Sequence, residues 1–360
     1  MSGYLDYLSM LGHCSADSWK ASLAYEREFY SNAESRLAAR VAAELISRLG
    51  ALTGFTEGIL TYAASTANRE ALRLAKERTG REYVLATSLT HSSVRSACED
   101  LELKLLQLPV GDEYQASTKT LQAAVGRKVG RIAAIVSTFG TTQFGNFEDL
   151  AQHPEVMEMQ ADGSWLHIDA AYGGMIGNLL YPNAKEGYSH ADSITIDPYK
   201  FIGSTGTAAL LLRKGLPSDR FRSSYYHASA ITPHTTLTAR AGYTVVDMWE
   251  RLGDDGLVAL ARQSHANATS FSESLREHGI KTHPVVTGIC SIPLQKNQLD
   301  TFTQALFERG YLVGKYEAQT RRGLEHGARA VFTPRKPETY QTSVRRFSET
   351  ALMTLTSLLR

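Results

Sequence analysis

The sequence predicts an α/β protein: a large domain on a mostly parallel, doubly wound sheet, followed by a smaller α+β carboxy-terminal domain. Three observations predict it. Short apolar runs alternate with helical patterns from residue 59 to residue 213, as strand–helix–strand units do. Two of those runs lead into a charged residue at a turn, Asp169 after Trp165–Ile168 and Lys200 after Ser193–Ile196. That is where open α/β sheets bind ligands. Beyond residue 255 long helical stretches separate short strand-like runs, so the architecture changes there.

Composition bounds the function. A chain of 360 residues that is 43% hydrophobic buries a large core and is long for one simple domain. With 38 Lys and Arg against 37 Asp and Glu, no charge excess points to nucleic acid or to an acidic membrane. Small-molecule chemistry is the expectation. Cys14, Cys98 and Cys290 stand far apart, without CxxC pairing or metal-like spacing, so reduced thiols and no metal are expected. The start, MSGYLDYLSMLGHCS, lacks a basic segment followed by an apolar one, and nowhere do about 18 apolar residues run together. A soluble, unprocessed, cytoplasmic protein is expected.

Residues 1 to 32 show no clean period. From 33 to 49, Leu37, Val41, Leu45, Ile46 and Leu49 share one helical face opposite Arg36, Arg40, Glu44 and Arg48, with Gly50 as the expected stop. Residues 59 to 80 read strand, tight turn, helix, with Ala67, Ala71, Leu74 and Ala75 inward. Ala63, Ala64 and Ser65 at that helix start let backbone N–H groups approach an anion; Ser65 or Thr66 as a plain N-cap explains the same residues. A strand at Tyr83–Ala86 precedes THSSVRSACEDL, so His91 sits at a strand-to-helix junction, able to cap the helix or to lie on an aromatic ring.

Lys104–Leu108 and Ile132–Thr138 read as strands separated by a helix over 118–128. The second strand runs into FGTTQFGNFEDL, where Thr141 and Thr142 offer hydroxyls and Gly140 and Gly145 permit close approach. A helix over 148–160 is expected next. After Lys200, the turn Gly203–Thr207 is either a phosphate contact or a simple tight turn. Residues 215–236 read as a long aromatic loop, a length uncommon without a function. Helices are expected over 237–252, 257–278, 298–309 and 338–359, with strands near 285–294 and 328–333.

An acid and a lysine on neighbouring strand ends have a specific chemical use. The amine can hold pyridoxal phosphate (PLP) as a Schiff base, and the carboxylate can pair with the pyridinium nitrogen so that the ring withdraws electrons. The residues HIDAAYGG (167–174) and DSITIDPYK (192–200) resemble those of the group II PLP-dependent amino-acid decarboxylases, closest in look to the short archaeal-type tyrosine/aspartate decarboxylases.

The resemblance implies a fold-type I, aspartate aminotransferase-like PLP enzyme that decarboxylates an L-amino acid to its amine. It implies Lys200 as the Schiff-base lysine, Asp169 as the pyridinium partner, Ala171 against one ring face and His91 stacked on the ring. Ala64, Ser65, Thr141, Thr142, Asp197 and Tyr199 would border the cofactor. Arg329 is the candidate for gripping the substrate carboxylate, with an ordinary surface arginine as the alternative. Tyr225 or Tyr226 is the candidate proton donor. It further implies a homodimer with its active site at the subunit interface, residues 1–50 wrapping the partner, 51–255 forming the large domain and 256–360 the small one.

Two departures from the family pattern stand out. Tyr199 replaces the usual His, and Ala63-Ala64-Ser65-Thr66-Ala67-Asn68 replaces Gly-Gly-Thr/Ser-Glu-Ala-Asn, so the phosphate and ring environment is rebuilt. Other reactions on the same scaffold (transamination, C–C lysis or carbon-bond formation) are the alternative. A non-catalytic binding protein is the third reading.

Overall fold

A computed structural model of the chain describes residues 36–111, 113–202, 207–215, 248, 256–333 and 337–359. The elements of the larger part are α1 (Arg36–Thr53), β1 (Glu57–Thr61), α2 (Ala64–Thr79), β2 (Tyr83–Thr87), α3 (Ser92–Asp100), β3 (Lys104–Leu108), α4 (Thr118–Val125), β4 (Ile132–Thr138), α5 (Pro154–Ala161), β5 (Trp165–Ala170), α6 (Gly173–Leu180), β6 (Ser193–Ile196), α7 (Tyr199–Ile202) and β7 (Ala208–Leu212). They are followed by α8 (Leu257–Glu277), β8 (Ile289–Pro293), α9 (Lys296–Glu308), β9 (Gly314–Thr320), β10 (Gly323–Val331) and α10 (Pro337–Leu358).

Seven strands form one sheet in the order β1-β7-β6-β5-β4-β2-β3. The pairs from β3 to β6 are parallel, and β7 runs antiparallel to both β6 and β1. Every residue of β4, β5, β6 and β7 is buried, which is why those segments read as continuous apolar runs. Successive residues face opposite sides. Ile59, Val84, Trp165 and Leu210 join the apolar cluster with α2 and α3, while Leu60, Leu85, Leu166 and Leu211 join the cluster containing α1 and α6. Odd-numbered positions of β5 therefore look toward α2, a direction that decides the site.

The second sheet is small and antiparallel, in the order β8-β10-β9. Its core is Phe271, Leu275, Ile292, Phe302, Leu306, Phe347 and Leu355. Thr287 Oγ1 donates to the Gly145 carbonyl at 3.1 Å and Ser291 Oγ to the Gln143 carbonyl at 2.5 Å, so this sheet is pinned to the turn that follows β4.

Several boundaries differ from expectation. Gly50 does not end α1; it lies inside the helix because a Cβ there would meet the Phe55 carbonyl oxygen at 2.2 Å, and Gly54, at φ +89°, makes the turn instead. The helix expected over 148–160 is broken at Pro154, leaving a short 3-10 turn at Leu150–Gln152 and then α5. Helix α6 went unread because it opens on two glycines. So did β9, whose residues GKYEAQT place charged and polar side chains on the solvent face. The strand expected near 328–333 is the end of the longer β10. Apart from Met248, which is helical and buried, the expected helix 237–252 lies outside the described residues, as do the loop 216–236, the segment 1–32 and the turn Gly203–Gly206.

Candidate active site

Asp169 is the last residue of β5 on the face toward α2, and its register partner on β6 is Thr195. Because its side chain points toward α2, it enters the helix face made by Ala64, Ala67, Asn68 and Ala71. Asn68 is the one polar residue of that stripe and fills the gap: its Nδ2 donates to Asp169 Oδ2 at 2.8 Å. The second oxygen, Oδ1, accepts the Ala171 amide at 3.2 Å. The carboxylate is 3% exposed and both oxygens are held. Ala171 is buried beside it.

Lys200 lies in the single turn α7, two residues beyond Pro198, with its backbone N–H donating to the Asp197 carbonyl at 3.1 Å. The side chain is half-buried, as is that of Tyr199. Asp197 is buried. Its carboxyl is pushed up to about 6, first by desolvation and secondarily by Asp169, against the pull of the Lys200 charge and a hydrogen bond from the Ala64 amide. Its Oδ1 is a buried oxygen without a partner among the described residues. The helix that Ala64 opens is preceded by Ala63 at the N-cap, which offers no side-chain cap, and Ser65 is exposed in its first turn. Neither Ser65 nor Thr66 acts as the N-cap.

His91 caps the helix, the first of the two uses its position allowed. As N-cap of α3 its Nδ1 accepts the Ser93 amide at 3.1 Å, and the ring remains close enough to Asp169, Lys200 and Arg329 to feel all three charges. Burial holds its pKa below the usual value, Asp169 opposes that, and the two cations reinforce it, so the imidazole is neutral at neutral pH. Arg329 is not an ordinary surface arginine. It lies on β10, is half-buried, and its Nη1 donates to the Thr142 carbonyl in the turn to which the small sheet is pinned. Burial lowers its pKa against the pull of Tyr172.

Thr141 is fully buried and its hydroxyl closes its own turn, donating to Asn146 Oδ1 and accepting the Phe144 amide at 3.3 Å. Thr142 contributes its carbonyl to Arg329. Gly140, at φ +96°, lets the turn lie against Gly173, whose nitrogen would be 2.5 Å from any added Cβ. Tyr225 and Tyr226 lie outside the described residues.

The structure thus brings Asp169, His91, Lys200, Asp197 and Arg329 to one end of the sheet. It also adds residues that sequence reasoning passed over: Asn68, His167, Ser193 and Glu148. Glu148 accepts hydrogen bonds from Thr87 Oγ1 and, at 2.7 Å, from the Thr138 amide, below the strand ends. Burial pushes it up to about 7. The available signal was periodicity. Asn68 is a polar residue on an alanine face, and His167 shares the face of Asp169 two positions on.

Among the described residues no helix is long and apolar enough to cross a membrane. Cys98 and Cys290 are buried and unbridged, their thiols pushed up to about 12 by desolvation.

Comparison with known proteins supplies the family. A probable L-tyrosine/L-aspartate decarboxylase of Methanopyrus kandleri is 26% identical over 240 residues, which is 62% of this chain and 62% of that protein. The chain thus matches less than two thirds of that relative's length. Glutamate decarboxylase of Lactobacillus brevis superposes with a TM-score of 0.79 at 14% identity, over 97% of this chain and 88% of that one. A sphingosine-1-phosphate lyase of Burkholderia pseudomallei also reaches 0.79, at 15% identity over 98% and 86%. The fold is therefore shared by a glutamate decarboxylase and a sphingosine-1-phosphate lyase, and by itself selects neither reaction. Residues 62–290, which contain His91, Asp169 and Lys200, match the pyridoxal-dependent decarboxylase conserved domain. The chain belongs to the pyridoxal-dependent decarboxylase family.

Proposed function

We propose that this protein removes the α-carboxylate of an L-amino acid as carbon dioxide and releases the amine, with pyridoxal phosphate held by Lys200 and Asp169. The observation that carries the reading is the convergence of a buried carboxylate, a half-buried lysine, a neutral imidazole and a half-buried guanidinium at one sheet end. The residues fit the cofactor. Asp169 meets the needs of a pyridine nitrogen, the uncapped first turn of α2 suits a phosphate, and the unpartnered oxygen of Asp197 suits a group with a hydrogen to donate.

When bound, pyridoxal phosphate supplies an electron sink that weakens whichever substrate bond stands out of its ring plane. The protein chooses that bond by orientation. Arg329 has one N–H engaged by Thr142, and its remaining donors can grip a carboxylate and hold it in the cleavage position. His91, with Nδ1 occupied by Ser93, presents a neutral ring as a flat wall. Asn68 and the Ala171 amide hold Asp169 in one orientation. Tyr225 or Tyr226 returns a proton to the substrate α-carbon after carbon dioxide leaves. Tyr199 keeps a hydrogen-bond donor beside Lys200 without a group that titrates near neutrality. Residues 51–255 as a cofactor domain, 256–360 as a smaller domain, a homodimer wrapped by residues 1–50 and a cytoplasmic location complete the proposal. Two unbridged thiols support that location.

Incubation of cofactor-loaded protein with a panel of L-amino acids, read by mass spectrometry, tests the reaction. Carbon dioxide and an amine in equal amounts are expected. A keto acid in place of the amine would assign transamination, and an aldehyde with loss of a side chain would assign C–C lysis.

A further inference from the structure

Behind Asp169 runs a line of buried side chains that reaches the sheet end through Asn68. Trp165, His167 and Asp169 occupy one face of β5, and Ser193 and Thr195 occupy the same face of the adjoining β6. Trp165 Nε1 donates to Ser193 Oγ at 2.8 Å, and Ser193 Oγ lies 2.8 Å from His167 Nδ1. His167 Nε2 is 3.1 Å from Asn68 Oδ1 and 3.3 Å from Thr195 Oγ1, and Asn68 Nδ2 then reaches Asp169. His167 and Ser193 are completely buried and Asn68 is 1% exposed, so these bonds are shielded from bulk solvent.

The direction of every bond follows from the two ends. An indole N–H can only donate, and a carboxylate can only accept. Asn68 must therefore turn its NH2 toward Asp169, which leaves its carbonyl oxygen facing His167 Nε2. That oxygen accepts, so Nε2 must carry the hydrogen. Nδ1 is then an acceptor and takes the Ser193 hydroxyl, whose oxygen in turn receives the Trp165 N–H. The Ser193 backbone carbonyl also lies near the ring and offers an acceptor for the opposite tautomer. That tautomer would bring two acceptors together at Asn68, or turn the Asn68 oxygen onto the Asp169 carboxylate. The imidazole stays neutral because burial depresses its pKa to about 4, against the attraction of Asp169.

Resting on the cofactor reading above, we infer that His167 is a positioning residue: as a neutral Nε2–H imidazole, held by Trp165 and Ser193, it orients the Asn68 amide so that Asp169 is kept aimed and charged toward the ring nitrogen of pyridoxal phosphate. The same NH2 group also reaches Ser93 Oγ at 3.1 Å, and Ser93 Oγ lies 2.9 Å from His91 Nδ1. One amide therefore sets the carboxylate and, through a serine, the His91 ring. A flipped Asn68 would lose both.

The test has two arms. In the unmodified protein with ¹⁵N-labelled histidine, His167 is expected as the neutral Nε2–H tautomer at pH 7, with and without cofactor; an Nδ1–H tautomer or an imidazolium overturns the inference. In the second arm, His167→Leu removes the donor and His167→Gln restores an N–H at a similar reach. His167→Leu is expected to weaken pyridoxal phosphate binding about tenfold or more, as losing a hydrogen bond that orients a charged group does. It is also expected to lower, by on the order of one unit, the pH at which the bound ring loses its nitrogen proton, read from visible absorption. His167→Gln is expected to return both toward the original values. If the two variants titrate alike and both match the parent, His167 only fills space and the inference fails. The tautomer measurement needs neither turnover nor cofactor, so a failure of the proposed reaction leaves a separate signature from a failure of the relay.

Discussion

Two regions of this molecule hold a histidine, a carboxylate and hydroxyl partners, and they behave in opposite ways. At the sheet end His167, Asn68 and Asp169 are sealed, and each polar atom has one role dictated by its neighbours. At the small sheet, Glu325 accepts from Tyr114 at 2.8 Å and from Tyr316 at 2.9 Å, and His283 Nε2 approaches its Oε1 at 3.0 Å, yet the glutamate side chain is 28% exposed. Burial pushes Glu325 up, but the bonds from His283, Tyr114 and Tyr316 and the His283 charge outweigh it and hold the carboxyl below its usual value. Desolvation dominates in the first region and pairing in the second. A dry cluster fixes orientation and charge state. A wet one adds a contact that solvent can replace.

The largest expected difference between them is catalytic. Asp169→Asn should lower turnover by on the order of a hundredfold or more, as removal of one preorganised charge does, while Glu325→Gln should leave turnover within about twofold. Steady-state decarboxylation rates of the two variants decide it, and equal losses would end the contrast.

The next is a pair of opposite pH dependences in stability, read by urea unfolding from pH 4 to pH 8. His167 has a depressed pKa, so its contribution is present above about 6.5 and is lost as pH falls through about 4, in all about 3 kcal/mol. Glu148 is raised, so its contribution is present below about 4.5 and lost as pH rises through about 7, again about 3 kcal/mol. His167→Gln should remove the first slope. Glu148→Gln, which can still accept from Thr138 and can donate to the Thr87 hydroxyl oxygen instead of accepting from it, should remove the second. A parent slope unchanged by either variant would show that these groups are hydrated.

The smallest effect belongs to the wet cluster. Because Glu325 is depressed, its stabilisation is present above about 4.5 and falls away as pH drops below that. Glu325→Gln should cost no more than about 1 kcal/mol at pH 7, measured by the same unfolding curves. A loss several times larger would mean that Phe144, which packs edge-on against His283 and Tyr316, keeps the cluster drier than its exposure indicates.

Much of this was legible before any coordinates. The continuous apolar runs at Ile132–Thr138 and Trp165–Ile168 reported strands buried on both faces, and the alternating helices reported a parallel sheet. What escaped notice shares a cause. Strand β9 alternates charge with apolar residues, α6 begins with one glycine that lies against Phe139 and a second that lies against Ile196, and Gly50 serves a carbonyl five residues away. Each answers to a neighbour rather than to local preference. The site divided in the same way: His91 and Asp197 stood at junctions where their types suggested use, whereas Arg329 became more than a late-strand arginine only when Thr142 was found against it.

By itself, then, the amino-acid order determined that a carboxylate and a lysine would stand at adjacent strand ends, because strand period and burial are properties of short segments. It could not determine which way Asn68 faces or which nitrogen of His167 bears a hydrogen. Those follow from partners 99 and 101 residues apart along the chain, and from the exclusion of water that only packing provides. A hydrogen bond's direction is settled by what lies at the far end of its chain, and that end is chosen in three dimensions.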